Sequence, residues 1–283
     1  MVHIVKCGPA DIAASGAYAW QLPPDATCAR HARSLARQTL TALNLDELAD
    51  SVTLAVSELV TNALRHATPP GPRGPVAPAE LWIWTRAIPR PVLVTGVFDT
   101  CRTAWPHHAT GAPPRSDATL PSASSGVAEP ATGTGRSRFT GSERLEECGR
   151  GLGLVTTVSQ EWGAHLTRSR LGAGRVPGKV VWATFPLPAP WPDPGLSMSP
   201  ATAARYLADV LAACAVDGVG RYDGHGVSLV SVPLTWPDCV NVWIGPSSVS
   251  LTDTDGTRMT RPLLDLQDVA EHLISRIEER TDA

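Results

Sequence analysis

Lysine is nearly missing from this sequence: Lys6 and Lys179 are the only two among 24 basic residues, and arginine supplies the rest. There is no basic excess either, the formal net charge being −3 at pH 7. A protein that grips nucleic-acid phosphates needs a cationic footprint, so direct nucleic-acid binding is not expected. No apolar run approaches the length of a membrane span, so no membrane association is expected. The opening residues MVHIVKCGPAD lack the charged-then-apolar plan of a secretory signal, which makes a cytoplasmic location the expectation. The six cysteines (Cys7, Cys28, Cys101, Cys148, Cys214 and Cys239) contain no CxxC pair. Neither a zinc site nor a disulfide framework is indicated, and reduced thiols are expected.

What is present fits a globular chain. Its 283 residues are 43% hydrophobic and 18% charged, enough for one large domain or a domain with a smaller companion. Residues 17–22 read as a short strand, followed by an Ala-, Arg- and Leu-rich helix from Asp25, a plausible N-cap, to about Leu43. Asn44-Leu45-Asp46 breaks the pattern. A second helix runs from about Glu47 to Ala67, with Leu48, Val52, Ala55, Val56, Leu59, Val60, Ala63 and Leu64 as its apolar stripe. Strands are predicted at Glu80–Arg86 and Val92–Asp99. Residues 107–143, rich in Gly, Pro, Ser, Thr and Ala, have too few large apolar groups to offset ordering entropy and are expected to be mobile. A Gly-rich turn and a helix to about Glu161 follow, then strands near Gly163–Ser169 and Lys179–Leu187. After a Pro-rich linker at 189–198 the pattern restarts: a helix near Pro200–Ala215, three strands (Val227–Pro233, Val240–Ile244, Ser248–Thr252) and a final helix at Leu266–Arg280. The organisation expected is a lead at 1–16, a domain at 17–188, the linker, and a small α+β domain at 199–283.

Three stretches carry chemistry. In Ala55-Val-Ser-Glu58-Leu-Val-Thr-Asn62-Ala-Leu-Arg-His66-Ala67, the residues Glu58, Asn62 and His66 fall at successive i, i+4 steps and share one helix edge. A carboxylate, an amide and an imidazole are costly to hide without partners, so this edge is expected to face a cleft. An amide oxygen suits Mg²⁺, and a carboxylate one turn away can deprotonate a hydroxyl. By spacing alone, a solvated polar stripe on a surface helix is an equally good reading. Val97-Phe98-Asp99 ends an apolar strand in a carboxylate that can accept a bond from an exocyclic amine, although Asp often ends strands in plain turns. Cys148-Gly149-Arg150-Gly151-Leu152-Gly153-Leu154-Val155 opens a helix, where glycines and free N–H groups favour an anion. It matches neither the P-loop nor the dinucleotide fingerprint.

Taken in order, a helix with Glu-x-x-x-Asn, a strand ending in Asp, a low-complexity loop, G-x-G-x-G on a helix and a closing strand resemble the histidine-kinase-like (Bergerat) ATPases. Within them, E-L-V-T-N-A-x-x-H-A and G-R-G-L-G-L-V followed by W-G most resemble the bacterial anti-sigma-factor serine/threonine kinases. The resemblance covers about residues 17–188. It implies a two-layer α/β sandwich of α+β class, with ATP and Mg²⁺ held between helices and sheet. Carried over, Glu58 is the catalytic base and Asn62 the Mg²⁺ ligand. Asp99 holds adenine, His66 lies beside the nucleotide, and Gly149, Arg150, Gly151, Leu152 and Gly153 form the phosphate-side turn. The 107–143 stretch falls where the family keeps its ATP lid. The partners implied are a sigma factor and an antagonist protein, with a homodimer allowed.

Two departures bear on adenine affinity rather than on fold. Asp99-Thr100-Cys101-Arg102-Thr103-Ala104 lacks both glycines of the family's Asp-x-Gly-x-Gly, and Gly178-Lys179-Val180 stands where relatives often have Gly-Thr-Thr. They keep a second class of function open: a nucleotide-binding or protein-interaction module without phosphotransfer. His31 lacks a phosphoacceptor context, His107-His108 read as loop residues, Asp223-Gly-His225-Gly as a turn, and the tryptophans at 82, 84, 162 and 182 as packing.

Overall fold

The computed structural model describes residues 17–66, 78–106, 151–172, 175–188, 198–235 and 237–282. The lead at 1–16, the lid stretch at 107–143 and most of the 189–198 linker lie outside the described residues. Among those described, two antiparallel five-stranded sheets and five helices form a mixed α+β fold.

The first strand, β1 (Ala17–Gln21), leads to α1 (Cys28–Ala42). Asp25 is not its N-cap. The Asp25 carboxylate accepts from the Thr27 backbone N–H at 2.7 Å and the Thr27 hydroxyl at 2.6 Å, a local turn that consumes it before the helix begins, and Thr27 takes the N-cap position. The expected break after α1 is present: Asn44 adopts φ 56°, a left-handed conformation asparagine tolerates better than most residues. A short 3₁₀ turn (Asp46–Leu48) then feeds α2 (Ala49–His66). Next come β2 (Glu80–Arg86), β3 (Val92–Asp99), α3 (151–158), β4 (Glu161–Arg168) and β5 (Pro177–Pro186). The strand order is β1-β2-β3-β5-β4.

Both faces of this sheet are covered, which explains why β2 and β3 read as nearly unbroken apolar runs. On one face Leu81, Ile83, Leu93, Val97, Val181, Ala183 and Phe185 meet the buried stripe of α2 (Val52, Val56, Leu59, Val60) and residues of α1 and α3. On the other, Trp82, Trp84, Val92, Val94, Phe98 and Val180 form a second cluster.

The C-terminal part holds α4 (Pro200–Ala213), β6 (Gly220–Asp223), β7 (Ser228–Thr235), β8 (Asp238–Ile244), β9 (Ser248–Thr252), β10 (Arg258–Pro262) and α5 (Leu266–Asp282). Its sheet runs β10-β9-β8-β7-β6, so two edge strands, β6 and β10, join the three expected from sequence. The helix α5 serves both halves. Leu266, Val269, Ala270, Leu273, Ile274 and Ile277 form its apolar stripe, packed with β7, β8 and β9 residues. Its opposite stripe carries acids toward the first sheet. Glu271 accepts from Arg170 at 2.6 Å and Thr167 at 3.0 Å, and Glu278 from Arg168 and Arg102, each at 2.6 Å. Asp268 accepts from the Trp84 indole at 2.7 Å. The Arg170 guanidinium also stacks over the Trp82 ring at 3.9 Å. No helix among the described residues is long and apolar enough to cross a membrane.

Candidate nucleotide site

Packing of the α2 aliphatics on the sheet leaves the opposite edge of the helix to Glu58, Asn62 and His66. Glu58 and Asn62 are half-buried and His66, the last residue of α2, is exposed. The glycine-rich stretch comes to this edge. A Cβ at Gly151 would lie 2.7 Å from Glu58 Oε2 and 3.7 Å from Asn62 Nδ2, so the bare Cα leaves the Glu58 carboxylate its place against α3, with Asn62 in ordinary contact range. Leu152 and Val155 point into the core beneath, which seats α3, and leave Leu152 only its backbone for a ligand. Trp162 on β4 donates to Thr156 on α3 at 2.8 Å and braces the same helix. Gly153 is exposed, with open space where a side chain would stand. Gly149 and Arg150 lie outside the described residues.

Asp99 ends β3 on the face that carries α2, and is buried. Its Oδ1 accepts from the Cys101 backbone N–H at 2.8 Å and from Lys179 Nζ at 2.6 Å. Burial pushes the Asp99 carboxyl above its ordinary value, against the pull of Lys179, the Cys101 N–H and, more weakly, His66. Cys101 is the opposite case. Burial alone would raise its thiol, but bonds from Ala104 and Thr103 and the charge of Lys179 hold it below the usual value. By contrast, burial drives Cys28 up to about 11 and Cys214 up to about 12. Among the described residues Cys28, Cys101, Cys214 and Cys239 are free cysteines.

The structure therefore brings Glu58, Asn62 and Gly151 into direct proximity, with His66 at the end of α2 and Asp99 at the end of β3. Hard oxygen donors on α2 suit Mg²⁺, and backbone N–H groups of the glycine-rich helix beside them suit phosphate oxygens. Among the described residues no cluster of three or more His, Cys, Asp or Glu could hold a metal unaided, so Mg²⁺ here would depend on Asn62 together with the nucleotide's own oxygens. Lys179 is the site residue that motif reading passed over as a partner. It was visible only as a substitution in the closing strand, because its pairing with Asp99 rests on the β3–β5 register.

Comparison with known families matches a model described as histidine kinase-like ATPase domain to residues 22–185, more than half of the chain. The chain belongs to that family. Searches of curated proteins and of solved structures found no match. The histidine kinase-like ATPase domain begins just after β1 and ends in β5, so it contains both the Glu58–Asn62 helix and the glycine-rich helix. Membership supports ATP binding, and in this family Mg²⁺ generally accompanies it. Residues 198–282, including α5, lie beyond the matched span.

Proposed function

We propose that the chain is an ATP-binding regulatory protein that acts as an anti-sigma-factor-like serine/threonine kinase on a small antagonist protein, and sequesters a sigma factor when the antagonist is absent. The observation that carries this reading is the close approach of Gly151 to Glu58 and Asn62. Mg²⁺–ATP, when bound, supplies the phosphoryl group and the metal charge that neutralises it. The chain's own groups do the rest. Asn62 offers an amide oxygen to the ion, and the backbone at Gly151 gives the phosphate end room. Glu58, half-buried one turn before Asn62, accepts the proton of the partner's hydroxyl at a carboxylate oxygen. Asp99 and His66 stand at the base end.

Glu58→Gln keeps shape and removes the base. Nucleotide binding should persist while phosphotransfer to the antagonist falls by about 10²–10⁴, measured by labelled phosphate on the acceptor. Transfer at an undiminished rate would remove Glu58 from the mechanism.

One observation favours a second reading, a module that binds partners or nucleotide without transfer. Asp99, the residue assigned to adenine, is already paired with a lysine. In that case single-turnover assays show no labelled product from the wild type, even with every candidate acceptor saturating.

A further inference from the structure

Asp99 and Lys179 stand directly opposite in the β3–β5 ladder, with side chains on the same face as α2. Both are buried, at 5% and 2% exposure. The bonds on the Asp99 carboxylate fall on one oxygen. Oδ1 accepts from Lys179 Nζ at 2.6 Å and from the Cys101 backbone N–H at 2.8 Å, whereas Oδ2 accepts from no described residue. Oδ2 is not among the sealed polar atoms that lack a partner, so it retains contact with solvent. Lys179 Nζ also donates to the Cys101 carbonyl at 2.5 Å, so Cys101, which stands at the first missing glycine, is tied at both its N–H and its C=O. A Cβ at Gly178 would overlap the Asp99 carbonyl oxygen, and its absence lets β5 bring Lys179 this close.

A carboxylate has two oxygens with about four accepting sites, and two donors on Oδ1 leave those of Oδ2 open. The same two donors fix the rotation of the carboxylate, so Oδ2 has a set direction. A ligand that brings an N–H to it makes a bond. One that brings a carbonyl presses two acceptors together and leaves both unsatisfied, which is unfavourable. The ammonium has a second effect, because its charge opposes the burial that drives this carboxyl toward its neutral form. A neutral carboxyl can donate to a base carbonyl, whereas a carboxylate can only accept. The other titratable groups around the pair are the Cys101 thiol in the loop and His66, whose charge acts on Asp99 more weakly than that of Lys179.

Given the nucleotide site proposed above, the geometry points to Lys179 as the positioning residue for Asp99: it fixes Oδ1 and leaves Oδ2 as the acceptor for the exocyclic amine of the base. Without the two loop glycines, this chain secures both its loop and its carboxylate with one side chain from the closing strand.

The test is calorimetric titration of the full chain with Mg²⁺ and either ATP or inosine triphosphate, which carries a carbonyl where adenine has its amine. The wild type should favour ATP by about tenfold or more, as one bond to a charged acceptor gives. Asp99→Asn should invert the preference. Lys179 and the Cys101 N–H claim the amide oxygen, which turns the NH₂ toward the base to meet the inosine carbonyl. As pH is lowered, Lys179→Met should lose the ATP preference about 1–3 pH units before the wild type does, because burial then acts on the carboxyl without the ammonium's pull. The triphosphate and His66 titrate in both chains and cancel in that comparison. Equal affinities for the two nucleotides in the wild type would overturn the inference and leave the nucleotide site standing. So would an Asp99→Asn chain that does not favour inosine triphosphate, or a pH profile that Lys179→Met leaves in place. The wild-type ratio and Asp99→Asn decide even if Lys179→Met fails to fold. No heat with either nucleotide at millimolar concentration in the wild type would overturn the site and the inference together.

Discussion

Two glycines only two positions apart in sequence separate space kept for neighbours from space left open. Gly151 has no room for a methyl group: it would press on the Glu58 carboxylate. That carboxylate is the far end of a flexible side chain, so Gly151→Ala should fold, with Glu58 displaced. The expected outcome is weaker nucleotide binding and slower transfer at an almost unchanged melting temperature. Gly153 faces open space within α3. Gly153→Ala should therefore stabilise the helix by about 0.5–1 kcal/mol, read as a higher urea midpoint. If that variant loses nucleotide affinity while gaining stability, the open space beside Gly153 is ligand space. A drop in stability would show that α3 is not the regular helix described. Motif reading reached Glu58, Asn62 and the glycines because their meaning is local, set by i, i+4 steps and by the lack of a side chain. It could not reach the Lys179–Asp99 bond, which exists only once β5 lies beside β3 in one register.

At the level of elements, α5 shows most clearly what sequence alone concealed. Asp268, Glu271 and Glu278 have the spacing of an ordinary solvated helix face, yet Glu278 is 0% exposed, held by Arg168 and Arg102. Burying acids among arginines is tolerable only while each keeps its partner, so Glu278→Ala should cost about 3–5 kcal/mol in denaturant unfolding. Two acids of this region titrate in opposite senses. Burial alone would raise Glu271, but Arg170 and His165 hold its carboxyl down to about 2, below its ordinary 4.5. Its contribution is thus complete above about pH 4.5 and lost as pH falls toward 2. Asp265, which accepts from the Ala87 N–H at 2.6 Å at the end of β2, is pushed by burial up to about 6 from 3.8. Its contribution is complete below 3.8 and is lost as pH rises through about 6. Unfolding midpoints against pH should therefore lose their acid limb in Glu271→Gln, whereas Asp265→Asn should remove the decline between pH 4 and 6. Unchanged profiles in both would contradict the buried network. The edge strands β6 and β10 escaped prediction for a simpler reason: their side chains are mostly exposed or half-exposed and leave no apolar alternation to read.

Across the whole molecule, a histidine kinase-like ATPase domain presents the Glu58–Asn62 helix on one face of a sheet and is clasped on the other by the C-terminal helix. The clasp reaches the site region through Arg102, three residues after Asp99, which bonds Glu278. The first sheet and the helices flanking the site were legible from local periodicity, whereas the covering of the second face required long-range contacts that no window of sequence contains. Trp82 and Trp84 could be read only as packing until α5 and Arg170 were seen against them. The proposed function requires Mg²⁺-nucleotide binding at the Glu58–Asn62–Gly151 edge. Titrating the purified full-length chain with ATP and Mg²⁺, beside Asn62→Ala of equal melting temperature, tests this most directly. The wild type should show saturable binding that requires Mg²⁺ and collapses in the variant. Equal binding by both, or none by the wild type at millimolar ATP, would contradict it.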